Sequence, residues 1–122
     1  MTASKKYGLD PLYVSAVIWV ESSGQTDIIN PDSGATGLMQ IMPSDGKAGD
    51  DMCINGLCYA GRPTTKELQD PLINIDYGCR MLADFIQREG GLKKALLYGY
   101  NPGGGQKYVD DVMAVYDSYK FK

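Results

Sequence analysis

Histidine is absent from this chain of 122 residues, so side-chain acid-base chemistry falls first to carboxyl groups. That excludes Ser-His-Asp and Cys-His hydrolases, and zinc sites built on imidazole. Most of the 15 Asp and Glu residues lie in polar surroundings and read as solvated charges. Glu21 differs, because it follows Ile18-Trp19-Val20 at the end of the most apolar segment. Partial burial there would disfavour the charged form and raise its pKa. A carboxyl group kept protonated near neutral pH is what a general acid requires. The local pattern by itself favours a plainer reading, a helix-terminal Glu that swings into solvent.

Two further clusters carry polar groups suited to a ligand. In Gly37-Leu38-Met39-Gln40-Ile41-Met42-Pro43, Gln40 offers donor and acceptor groups that match sugar hydroxyls and acetamides. Leu38 and Ile41 read as core residues. In Gly99-Tyr100-Asn101-Pro102-Gly103-Gly104, glycines let a backbone approach a ligand closely. The Tyr100 hydroxyl could bond a carboxyl group and Asn101 a polar substrate; the plainer reading is a helix end. The run does not match a phosphate loop, since no Gly-Lys-Ser/Thr follows it. Nine tyrosines could stack on sugars, although most should be ordinary amphipathic packing.

The elements that must position these residues read as helical. Asp10-Pro11 has the form of an N-cap followed by proline at the first helical position. The segment after it is apolar almost all round and is expected to be a buried helix that Ser22-Ser23-Gly24 ends. Residues 25–36 form a polar loop, and residues 37–42 a short helical turn stopped by Pro43. Thr64 and Glu67 have capping-box spacing. Asp70-Pro71 repeats the helix start, and Leu72, Ile75, Cys79, Leu82, Ala83 and Ile86 then recur at helical spacing until Gly90-Gly91. Residues 92–100 predict another helix. Val109, Val112, Met113 and Tyr116 mark a last amphipathic one. No alternating strand pattern stands out. The expectation is a mainly α chain, one domain over residues 1–122, with an inserted Cys-containing loop at about 45–62.

Composition bounds the partners. Twelve Lys and Arg against 15 Asp and Glu give a net charge of −3, too acidic for non-specific binding to nucleic acid. No apolar run approaches the roughly 20 residues that cross a bilayer. No signal-peptide pattern follows the N-terminal lysines, which leaves a chain not secreted by that route or an excised domain. Cys53 and Cys58 flank Ile54-Asn55-Gly56-Leu57, whose Asn-Gly is a strong turn signal. A turn there would bring the sulfurs within disulfide range; two free thiols on an ordinary hairpin is the equal alternative. Cys79 reads as a small buried hydrophobe. Three cysteines do not make a thiolate zinc site, so neither metal nor cofactor is expected. A monomer is expected.

Taken in order, five runs resemble the catalytic domain of lytic transglycosylases of the soluble, goose-lysozyme-like type. They are Asp10-Pro11-Leu12 leading to Glu21-Ser22; Ser33-Gly34-Ala35-Thr36-Gly37-Leu38-Met39-Gln40-Ile41-Met42-Pro43; Asp70-Pro71 with Asn74-Ile75 and Gly78; Tyr100-Asn101-Pro102-Gly103; and Tyr108-Val109 with Val112 and Tyr116. The likeness covers residues 7–119, interrupted by the loop at 45–62. It implies a lysozyme-like α fold and a peptidoglycan substrate. It implies Glu21 as the single acid/base, Met39, Gln40 and Met42 at substrate-groove positions, Tyr100 near the catalytic carboxyl group and Asn101 beside it. Asn30 stands where the family often has Ser at a position associated with the substrate acetamide, and Gly99 where it usually has Ala.

The reaction so implied is non-hydrolytic cleavage of the β-1,4 bond between N-acetylmuramic acid and N-acetylglucosamine, giving 1,6-anhydromuramoyl products. Two other functions fit the same residues. A goose-type hydrolase would use water, with Asp27, Asp32 or Asp45 as a second carboxylate. A catalytically silent glycan-binding module would bind without lysis, against which the intact Glu21 argues. The setting implied is the cell envelope or a bacteriophage particle, with glycan strands as partner.

Overall fold

The computed structural model describes residues 2–46 and 62–120. Cys53, Cys58 and most of the loop expected at 45–62 lie outside the described residues. Among the described residues the chain is helical, and its only β pairing is two isolated bridges. The order is α1 (Thr2–Lys6), α2 (Pro11–Ser22), α3 (Thr65–Leu68), α4 (Pro71–Glu89), α5 (Leu92–Ala95), a π turn (Leu96–Tyr100), a 3-10 turn (Pro102–Gly104) and α6 (Gly105–Lys120). The chain divides into two compact units, one of Met1–Val20 with Asp76–Lys122, the other of Glu21–Ile75.

The first unit is organised around α2. Asp10 starts this helix as its spacing predicts: its Oδ1 accepts the Leu12 N–H at 2.9 Å, and its carbonyl accepts the Tyr13 N–H at 3.1 Å. Tyr13, Val14, Ala16 and Val17 are fully buried. A side chain such as Val14 or Val17 contributes roughly 1.5–3 kcal/mol by leaving water, before the entropy of ordering it, and Ala16 less. Tyr13 meets Tyr116 of α6 edge-on, with ring centroids 5.8 Å apart, and its hydroxyl donates to the Leu92 carbonyl at 3.1 Å. The expected all-round burial of α2 is not observed, for Leu12 is 39% exposed and Trp19 54%. Residues 12 and 19 are seven apart and share the outer side of the helix. A high mean hydropathy does not say which side lacks a neighbour.

Helix α4 shows a similar displacement. Its expected apolar row began at Leu72, which is 79% exposed. Cys79 and Leu82 of the expected row are buried, and Asn74 and Gly78 rather than Leu72 continue the buried side. Apolar periodicity cannot register a polar side chain that takes a core position. Burial pushes the Cys79 thiol up to about 12, so the group is a neutral filler there. Gly90, with φ +85°, ends α4 in the left-handed conformation, and its N–H closes on Ile86. Helix α1 had no counterpart in the sequence reading. The helix expected at 92–100 is half α-helix and half π turn.

The far end of α6 returns to the start of α2, where the Tyr116 hydroxyl donates to Asp10 Oδ2 at 2.6 Å. This bond first, and the Leu12 N–H second, hold the Asp10 carboxyl below its ordinary value. Because the folded pKa is the lower one, this stabilisation is present above the unfolded value and is lost as pH falls through the folded one. Replacing Tyr116 with Phe should cost about 1 kcal/mol near neutral pH, the low end for a charge-assisted bond because Asp10 is exposed. It should also flatten the loss of stability below about pH 4. Thermal melts across acid pH read both effects; an unchanged acid limb would remove the pair from the account.

Candidate active site

Glu21 lies in the last turn of α2. At 100° per residue, positions 14, 17 and 21 fall on one side of a helix. Val14 and Val17 are fully buried, so the Glu21 carboxyl leaves the helix on its buried side. The side chain is half-buried rather than swung into solvent. Ser22, 4% exposed, closes the helix by accepting the Gly24 N–H on Oγ at 3.2 Å, and Ser23 turns the chain with φ 54°.

The run 37–42 is not the expected helical turn. Thr36 and Ile41 exchange backbone bonds of 2.9 and 3.1 Å, and Thr36 also pairs with Ile29, so the chain makes a tight hairpin-like turn. Pro43 would end a helix here, but none begins, because the polar groups of the turn have partners outside it. Asn74, fully buried on α4, is the chief of these partners. Its Nδ2 donates to the carbonyls of Thr36 and Leu68, both at 2.8 Å, and its Oδ1 accepts the Met39 N–H at 2.8 Å. Gly37 lies so close that a Cβ there would be 2.3 Å from Asn74 Nδ2 and 2.5 Å from the Leu68 oxygen.

This turn presents Gln40 in the left-handed region, at φ 51°, a conformation non-glycine residues seldom adopt. Its Nε2 donates to the carbonyls of Gly37 and Ile28 at 3.0 and 3.4 Å, so the amide folds back on the turn and braces the strained backbone. Met39, within the same turn, has no exposed surface. Met42 is half-buried, and its carbonyl accepts from Arg62 Nη1 at 3.4 Å. Asn30 is exposed, but its Oδ1 accepts the N–H groups of Asp32 and Ser33 at 2.8 and 3.1 Å. That oxygen shapes the loop. Glu21, Asn30, Met39, Gln40 and Met42 all belong to the second unit.

Tyr100 and Asn101 belong to the first unit. Tyr100 is half-buried and ends the π turn; the Asn101 N–H returns to the Leu96 carbonyl at 3.1 Å. Asn101 Oδ1 then accepts the Gly104 N–H at 3.2 Å and caps the 3-10 turn. Of the acids considered as a second carboxylate, Asp45 is committed to structure: its Oδ1 accepts both the backbone N–H and the hydroxyl of Thr65 at 2.8 Å. Those bonds hold its pKa below the ordinary value. Asp27 and Asp32 are exposed. Among the described residues no three His, Cys, Asp or Glu side chains gather as a metal site.

Asn74 is the positioning residue to which the sequence reading attached no role. Its place in the quoted Asn74-Ile75 pair was the available signal. Truncation to Ala would leave one buried N–H and two buried carbonyls without this partner, and should destabilise the protein by about 3 kcal/mol. Gly37→Ala should act in the same direction through the collision at Asn74. Urea unfolding of each variant measures the loss; a change below about 1 kcal/mol for Asn74→Ala would mean that the turn is held by something else.

The profile of the family described as Transglycosylase SLT domain matches residues 1–116. Over 88 residues the chain is 39% identical to Membrane-bound lytic murein transglycosylase E of Buchnera aphidicola, an alignment covering 72% of this chain and 38% of that protein. It is 36% identical over 81 residues to Endo-type membrane-bound lytic murein transglycosylase A of Klebsiella pneumoniae, covering 66% and 38%. It is 32% identical over 112 residues to the protein of that name from Citrobacter koseri, covering 84% and 52%. The chain thus matches between about two fifths and half of the length of these relatives. Its helical architecture agrees with the lysozyme-like fold that the five sequence runs imply. The family match takes in Glu21, the turn at Gln40, Asn74 and Tyr100 alike, and on that ground the chain belongs to the SLT transglycosylase domain family.

Proposed function

We propose that residues 1–122 are the catalytic domain of a peptidoglycan lytic transglycosylase, with Glu21 as its one acid and base. The observation that carries the reading is the place of Glu21: half-buried on the inner side of an apolar helix, in a family-matched chain without histidine. The names of its relatives, lytic murein transglycosylases, point to the same substrate.

In this mechanism the protonated Glu21 donates to the glycosidic oxygen as the bond to the muramoyl anomeric carbon breaks. The substrate's own acetamide stabilises the positive charge developing there. The Glu21 carboxylate then takes the proton of the muramoyl 6-hydroxyl, whose oxygen closes on the anomeric carbon. The carboxyl group ends protonated as it began, no water is consumed, and one residue serves in both directions. Tyr100, Gln40, Met42, Asn30 and Asn101 are assigned to the substrate. Met39 belongs to the same turn as Gln40 and is fully buried. The reaction as written uses no metal or cofactor. The cell envelope is the setting this substrate requires; among the described residues no helix is long and apolar enough to cross a membrane.

Glu21→Gln should fold normally, with an unchanged melting temperature, and release soluble fragments from purified peptidoglycan at least about a hundredfold more slowly. Mass spectrometry of the wild-type products should show anhydro ends, lighter by one water than hydrolytic ends. Hydrolytic products would identify a lysozyme-type hydrolase, and binding without release a silent glycan-binding module. A Glu21→Gln variant cleaving at the wild-type rate would remove Glu21 from the mechanism.

A further inference from the structure

The π turn Leu96–Tyr100 places Gly99 against the ring of Phe85 on α4. A Cβ on residue 99 would lie 2.5 Å from Phe85 Cδ1 and Cγ and 3.0 Å from its Cβ. Real Cβ contacts do not reach 2.5 Å, so any side chain at 99 must displace the turn or the ring. The ring atoms at fault are the near edge of an aromatic group on a 19-residue helix, not the end of a flexible chain. The turn itself is the softer partner, because π segments are rare, single-turn insertions, frequent at functional sites. Its closing bond, Asn101 N–H to Leu96 carbonyl, spans the very residues that a shift at 99 would move.

We propose that Gly99 and Phe85 form a size-matched pair that sets the π turn and thereby positions Tyr100 for the reaction. The glycine is small because the ring is large. Gly99 and Phe85 touch no substrate in this scheme; they act through Tyr100. The proposal rests on the assignment of Tyr100 made above.

The test is a set of variants of the purified protein assayed on peptidoglycan strands. Gly99→Ala should lower kcat about tenfold, with KM and the melting temperature moving little, since ångström-scale misplacement of a substrate-positioning group acts on the chemical step. Phe85→Ala removes the colliding Cγ and Cδ1, so the double variant Gly99→Ala/Phe85→Ala should recover most of the lost kcat. In a Tyr100→Phe background Gly99→Ala should cost nothing further, which a general loss of structure would not reproduce. Tyr100→Phe at the wild-type rate overturns the role of Tyr100 and this proposal with it. If Tyr100→Phe is slow but Gly99→Ala is fully active, or the double variant stays as slow as Gly99→Ala, the pairing alone is overturned.

Discussion

Asn74 satisfies three backbone groups from a single buried side chain, and the turn that carries Gln40 takes its shape from those bonds. Only an amide can do this, because the site needs one acceptor and two donors in a planar fork. A carboxylate would face two carbonyl oxygens, and an apolar side chain would leave all three groups stranded. The requirement propagates outward. Gly37 must lack a Cβ to let the amide in, Thr36 must lie between Ile29 and Ile41, and Gln40 must accept a left-handed backbone to complete the turn. The capped helix α3 supplies Leu68, whose carbonyl is one of the three groups, so the Thr64–Glu67 capping box serves the same arrangement from a distance.

The first unit meets a different constraint, that nothing charged should sit in its core. Cys79 and Tyr13 are two buried titratable groups of this unit, and burial pushes both toward their neutral forms. The short ionic hydrogen bond from Tyr116 to Asp10 is placed at the exposed start of α2, where solvent shares the work of holding the charge.

What could be read from the sequence was whatever a few neighbouring residues decide. Asp10-Pro11, Asp70-Pro71, the Thr64–Glu67 box and the stop at Gly90 all appear where local chemistry puts them, because a cap needs only residues two or three positions away. What could not be read depends on distant partners. The hairpin-like turn at 37–41 is held by Asn74, 35 positions from Met39. The exposure of Leu72, Leu12 and Trp19 depends on which helix sides find neighbours. The π turn depends on a ring 14 positions earlier meeting Gly99. The apolar helix singles Glu21 out, yet by itself favours a solvated side chain at the helix end. Its orientation on that helix needed the side occupied by Val14 and Val17, and the family's five runs added a meaning that periodicity alone did not carry.

Trp19, the sole tryptophan of the chain, stands on the outer side of α2 with half of its surface open. The core of the first unit is read out by tyrosines instead. The indole is therefore already about half in water in the folded protein, and melting the core should change its surroundings less than those of a buried ring. Tryptophan emission is a weak gauge of unfolding for this molecule, whereas the tyrosine bands of the near-ultraviolet dichroism spectrum, fed by the crossed rings of Tyr13 and Tyr116, follow the packing directly.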